Sequence, residues 1–293
     1  MITVPDAFAA AAVTRAGEAG RAWIRDLPRI VEDLCAQWRL AVDGPVMHGY
    51  LGLVVPVNRE REPCVLKVAW PDESSADEAA ALAAWDGRGA VRLLEAQPEL
   101  GAMLLERLDY TRSLDDVEIA EAVTVAGRLL RRLAIPAPAR FRPLRAAAEE
   151  LADSLPERWQ RTGRPMPRRL LDQACELATQ LGASAGSLLV NYDLHYQDVL
   201  AAEREPWLAV DPKVVAGDLE YGVAQLLWRR LEDMEASGGL ERHFRALVEA
   251  AELDYDRARW WTLVRCVDYW LWGLGIGLTE DPARCALITS RLA

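Results

Sequence analysis

Along the first 40 or so residues, apolar side chains recur every three or four positions. Trp23, Leu27, Ile30, Val31, Leu34, Cys35 and Trp38 follow that spacing, which predicts a helix. From about residue 43 the period changes. "YLGLVVPVNREREPCVLKVAW" reads as two strands, carrying Val55, Val57, Val65 and Val68, around a polar turn from Asn58 to Pro63. "DEAAALAAWDG" predicts a helix from near Asp77 to Gly87, and "AVRLLEAQ" and "GAMLLERLD" predict two further strands. Beyond about residue 115 the helical period dominates, with "IAEAVTVAGRLLRRL" and "RRLLDQACELATQL" each apolar along one face. Two short β-like runs, Leu188–Val190 and Trp207–Val210, interrupt it. The expected organisation is α+β: a small antiparallel sheet with one inserted helix over residues 1–108, then a larger helical part over 109–293.

A chain of 293 residues is long enough for two lobes with real cores. Its 51% hydrophobic and 27% charged residues place it among soluble globular proteins. No apolar run reaches the roughly 20 residues of a membrane span, and no basic region precedes the alanine-rich start, so no signal peptide is read. The five cysteines form no CxxC pair, and their odd number argues against a disulfide framework. A reduced, cytoplasmic setting is the expectation. A formal charge of −11 disfavours nucleic acid and anionic membranes as partners. It suits solubility first and a cationic small molecule second.

The chemistry concentrates in "LLVNYDLHYQDVL" and "WLAVDPK". These bring Asp193, Asp198 and Asp211 close together in an otherwise apolar region. Acids in turns commonly cap helices; the sharper reading is a metal and phosphate site.

The order of features decides between them. A strand with Lys67, a helix with Glu78, a strand ending in "LLERLD", then helices, "YDLHYQDVL" and "AVDPK" together resemble the protein-kinase-like fold in its antibiotic-kinase branch. The chain is most similar there to the aminoglycoside 6-phosphotransferase and hydroxyurea phosphotransferase family. The likeness extends through "GEAGRAWI", "VLKVAWP", "EAAALAAWDGRGAVRLLE" and "GD". It implies a bilobal kinase-like fold and an ATP-dependent, Mg²⁺-assisted transfer of phosphate to a hydroxyl of a small, cationic antibiotic such as an aminoglycoside. By the same resemblance, Asp193 orients the hydroxyl or takes its proton, and Asp211 and Asp198 hold Mg²⁺. Lys67, oriented by Glu78, contacts the α and β phosphates. The backbone near Glu106 to Leu108 meets the base, which leaves ATP and GTP both open. These roles match what phosphoryl transfer requires, namely positioning and charge neutralisation. His195 reads as a brace for the loop. His48, in the loop expected to cover the phosphates, reads as incidental.

Three positions depart from the family pattern. Asn191 stands for the expected His, Asp198 for the metal-binding Asn, and Gly222 for an Asp that anchors the catalytic loop. The extra carboxylate at 198 predicts a steep dependence on Mg²⁺. The other two changes keep open a degenerate, nucleotide-binding chain without turnover. Candidate acceptor-binding acids are Glu232, Asp233, Glu235, Asp268, Glu280 and Asp281. Trp260, Trp261, Trp270 and Trp272 read as core, and "ERWQRTGRPMPRRL" as a solvated loop and helix start. A kinase of another natural product or metabolite shares the site and differs in the pocket. Oligomeric state is open.

Overall fold

The computed structural model describes residues 2–292, without the side chains of Glu73 and Ser74. They form two compact units. One runs through Gly87 and resumes at Val91–Leu108; the other comprises Arg88–Ala90 and the chain from Asp109 onward.

The first unit opens with helix α1 (Asp6–Trp38), broken at Gly17, whose φ of 56° lies in the left-handed region. After the break the helix doubles back closely: a Cβ on Gly20 would sit 2.3 Å from the Ala12 carbonyl oxygen. Strands β1 (Leu40–Val42), β2 (Met47–His48), β3 (Gly52–Arg59) and β4 (Glu62–Ala69) follow, then helix α2 (Glu73–Trp85) and strands β5 (Leu93–Gln97) and β6 (Ala102–Glu106). They build an antiparallel sheet ordered β1-β3-β4-β6-β5, with β2 also on β3. The core lies between α1 and the sheet: Leu27, Val31 and Leu34 pack on Leu53, Val55, Leu66, Val68 and Leu104.

Two boundaries differ from the sequence expectation. The β3–β4 turn is only Glu60 and Arg61, both at positive φ (52° and 79°), so the strands run on to a paired Arg59 and Glu62. This is the geometry of a two-residue hairpin, in residues that do not advertise it. Helix α2 starts one turn earlier than Asp77. Asp72 caps it, accepting from the Ser75 amide at 2.9 Å, while the Ser75 hydroxyl accepts from the Asp72 amide at 3.1 Å.

The second unit contains β7 (Asp109–Ser113), α3 (Ile119–Leu133), α4 (Leu144–Arg161), α5 (Arg168–Ala183), β8 (Leu188–Asn191), β9 (Val199–Ala201), β10 (Trp207–Ala209) and β11 (Val214–Gly217). After these come α6 (Ala224–Trp228), α7 (Leu231–Ala236), α8 (Leu240–Ala250), α9 (Tyr255–Gly275) and α10 (Glu280–Leu292). Strand β9 pairs with both β10 and β7, and β8 pairs with β11. Leu144 and Ala148 of α4, Ala178 and Leu181 of α5, and Trp261 and Val264 of α9 enclose Val190 and Val215 of the β8–β11 pair. Among the described residues no helix is long and apolar enough to cross a membrane.

Two readings of the helical part need correction. Trp261 is core, but Trp260 and Trp272 are 39% and 46% exposed. Helix α9 is wide enough in apolar surface that only its neighbours decide which face is covered. The basic run at 157–170 is not wholly solvated. Trp159 and Met166 are buried, and the Trp159 indole donates to the Met166 carbonyl at 3.0 Å, folding the loop onto itself.

Candidate active site

In the first unit, Lys67 on β4 and Glu78 on α2 form a buried ion pair. The ammonium lies 2.7 Å from each carboxylate oxygen, with side chains 11% and 6% exposed. A pair so enclosed holds the lysine in one geometry, whereas an exposed pair would not. Glu106 ends β6. Its amide donates to the Arg92 carbonyl at 3.0 Å and its carboxylate accepts from the Arg92 amide at 2.6 Å. Leu108 is half-buried, two residues on. His48 is exposed on β2, its ring 5.4 Å from Phe8.

In the second unit, the loops after β8 and β10 are tied together by their backbones. Tyr192 donates to the Lys213 carbonyl at 2.9 Å, and Val210 to the Asp198 carbonyl at 2.8 Å. The Asn191 carboxamide oxygen accepts from the amides of Asp193 (3.2 Å) and Lys213 (3.3 Å). The residue that departs from the family pattern is thus itself the clamp between the two loops. Asp211 lies inside this frame at φ 49°, a strained conformation for a residue with a side chain.

Lys213 donates to Asp193 at 2.5 Å. Burial alone would lower the lysine, but the charge and hydrogen bond of Asp193 outweigh it and hold the ammonium above the ordinary lysine range. His195 lies 3.0 Å from Asp198 through Nε2. Burial, helped by Arg229, pushes its pKa down to about 4, so it is neutral near pH 7 and donates to the carboxylate. It also senses the charges of Asp193 and Asp211, which places all three acids around one loop. Among the described residues no group of three His, Cys, Asp or Glu side chains forms a metal cage. A Mg²⁺ ion does not need one, since it takes one or two carboxylates and completes its shell with phosphate and water. Asp198 and Asp211 fit that donor set.

Two further anchors lie beside these loops. Asp218, which is 7% exposed, accepts from the Gly186 amide (2.8 Å), the Trp261 indole (2.8 Å) and the Arg257 guanidinium (2.5 Å). Arg265 is buried beneath the rings of Tyr192 and Tyr221, with centroids at 5.2 and 4.8 Å, and donates to the Tyr192 carbonyl at 3.2 Å. Gly222 packs against the Asn191 carbonyl, where a Cβ would come within 2.8 Å.

Beside Asp193 the second unit opens a cavity of about 490 Å³. It is walled by α4, the 192–193 and 213–215 segments, and α9. Of the acids expected to bind an acceptor, only Asp268 lines it. Glu232 pairs with Arg284 (2.7 Å), Asp233 with Arg230 (2.6 Å), and Glu235 accepts from the Leu240 amide (3.2 Å). Asp281 and Glu280 likewise face Arg284. The sequence reading missed Lys213, Arg158 and Arg265. Lys213 carried a signal, standing two residues beyond Asp211; the arginines carried none.

Comparison with known proteins identifies the family. The sequence model of the family described as "Aminoglycoside/hydroxyurea antibiotic resistance kinase" matches residues 37–277. A streptomycin 6-kinase of Streptomyces griseus is 40% identical over 98% of this chain and 96% of its own. A hydroxyurea phosphotransferase of Kitasatospora aureofaciens is 40% identical over 97% of this chain and 84% of its own. Among solved structures, the aminoglycoside phosphotransferase APH(4)-Ia superposes with a TM-score of 0.62 at 16% identity, covering 90% of this chain and 98% of that one. The choline kinase LicA of Streptococcus pneumoniae gives 0.58 at 10% identity, covering 91% and 98%. The fold is therefore the protein-kinase-like one that the order of motifs predicts. The chain belongs to the aminoglycoside/hydroxyurea antibiotic resistance kinase family and is, by that membership, a phosphotransferase.

Proposed function

We propose that the protein transfers the γ-phosphate of ATP to a hydroxyl of a small antibiotic-like molecule bound in the cavity beside Asp193. The observation that carries this reading is the placement of Asp193 at the wall of that cavity, ion-paired and fixed by Asn191. Asp193 accepts, or orients, the hydroxyl proton as the oxygen attacks phosphorus. Lys67, locked on Glu78, is assigned to the α and β phosphates, and the backbone at Glu106–Leu108 to the base. Asp211 and Asp198 would hold Mg²⁺, which supplies neutralisation of phosphate charge. His195 stays neutral and fixes the Asp198 carboxylate. Relatives crystallised with ADP or AMP-PNP, such as APH(4)-Ia, support a nucleotide as donor.

The deciding experiment incubates the protein with Mg²⁺-ATP and a panel of hydroxylated antibiotics. Mass spectrometry reads the phosphorylated product. D193A should abolish product and keep nucleotide binding. Absence of both product and ADP with the parent protein would replace this reading by nucleotide binding without turnover.

A further inference from the structure

A polycationic acceptor must exchange the water around each charged nitrogen for protein oxygens, and carboxylates do this best. The cavity offers three carboxylates: Glu150, Asp193 and Asp268. Each is already engaged. Arg142 holds Glu150, Lys213 holds Asp193, and Arg158 grips Asp268 by two bonds of 2.7 Å, to a carboxylate oxygen and to the carbonyl. Arg265 adds a fourth cation, 3.8 Å from Asp268. The cavity therefore holds more cationic than anionic side chains, in a chain whose formal charge is −11.

The pairs are not equally firm. Arg142 and Glu150 are 52% and 70% exposed and separate at little cost. Arg158 and Asp268 are only 19% and 22% exposed, so parting them strands a half-buried guanidinium. Asp193 cannot serve as a counter-ion without leaving the hydroxyl. The aromatic faces are also taken, since Arg265 lies against Tyr192, Tyr221 and Trp228. Trp272 remains, half exposed and 5.1 Å from Tyr269, as a flat wall.

We infer that the acceptor is a polyhydroxylated ring compound carrying at most one positive charge. Its apolar face lies on Trp272, and its oxygens accept from Arg158 and Arg142. This rests on the phosphotransferase reading and narrows its substrate class.

The test uses the full chain with AMP-PNP and Mg²⁺. Calorimetry compares kanamycin with its amines free against the same molecule with its amines acetylated, alongside a neutral cyclitol. Phosphorylation of each is followed separately with ATP. The uncharged forms should bind about tenfold tighter or more. R158Q, checked for folding by its thermal midpoint, should release Asp268 and shift preference toward the free amine by about fivefold. Equal or tighter binding of free-amine kanamycin by the parent overturns the inference while leaving the phosphotransferase reading intact. The stated charge preference without phosphorylation of any compound upholds the inference and sinks that reading. No binding of either class at millimolar concentration overturns the assignment of the cavity itself.

Discussion

The Lys213 ammonium lies 2.5 Å from one carboxylate oxygen of Asp193; in the proposed reaction the other oxygen meets the substrate hydroxyl. In that proposed reaction, a cation at this position would neutralise charge where the proton is handed over, and it keeps the carboxylate from rotating. Preorganised groups of this kind act most strongly where charge changes during the reaction.

Replacing Lys213 by Met should therefore lower kcat by about 10- to 100-fold, with KM for the nucleotide nearly unchanged. Arginine at the same position should recover part of the loss. Steady-state kinetics on the two variants checks this, and an unaltered kcat in K213M would refute the role.

Restoring the family acid at position 222 should not improve the enzyme. A Cβ there meets the Asn191 carbonyl at 2.8 Å and a Leu130 methyl at 3.3 Å, so backbone or core must shift. G222D is expected to lose about 1–3 kcal/mol in urea unfolding and to gain no activity. A more active G222D would show that Asn191 does not replace the missing anchor.

Asp218 is a costly carboxylate to remove. Its loss strands Arg257 and leaves the Trp261 indole and the Gly186 amide without their acceptor. D218A should cost about 3–5 kcal/mol. Equilibrium denaturation reads it directly.

The pocket tyrosine Tyr269 provides a pH signature. Burial first, then the nearby Asp281 charge, raises its phenol from 10.0 to about 12. Between those values the unfolded chain ionises this tyrosine and the folded chain does not. The unfolded state then binds fewer protons, and stability falls as pH rises. The fall should reach about 1–2 kcal/mol by pH 12, since the ring is partly solvated. Y269F should remove that component, as seen by denaturation at pH 8.5 and above pH 10.

The α+β order was legible because periods of two and of three to four survive in short windows, as along β3 and α3. The β3–β4 hairpin was not fully legible, because Glu60 and Arg61 adopt left-handed backbone without the glycine or asparagine that signals it. At the site, linear motifs carry Asp193 and Asp211, each in a short run with its own signature. The arginine that grips Asp268 comes from 110 positions away, on another helix, and nothing local marks it. Sequence alone named six acids as candidates for the acceptor, and only Asp268 of these lines the cavity. Pairing across helices, invisible in the sequence, decides how much of that charge a ligand meets.

Helix α9 carries Trp261 and Arg265 on its first turns, bonded to Asp218 and to the Tyr192 carbonyl, and Asp268 and Trp272 on its later turns, in the wall of the cavity. If the proposed function holds, changes near its C-terminal end alter the cavity while the bonds of its earlier turns stay in place. One continuous rod thus links the bonds behind the proposed chemistry to the wall of the proposed acceptor cavity.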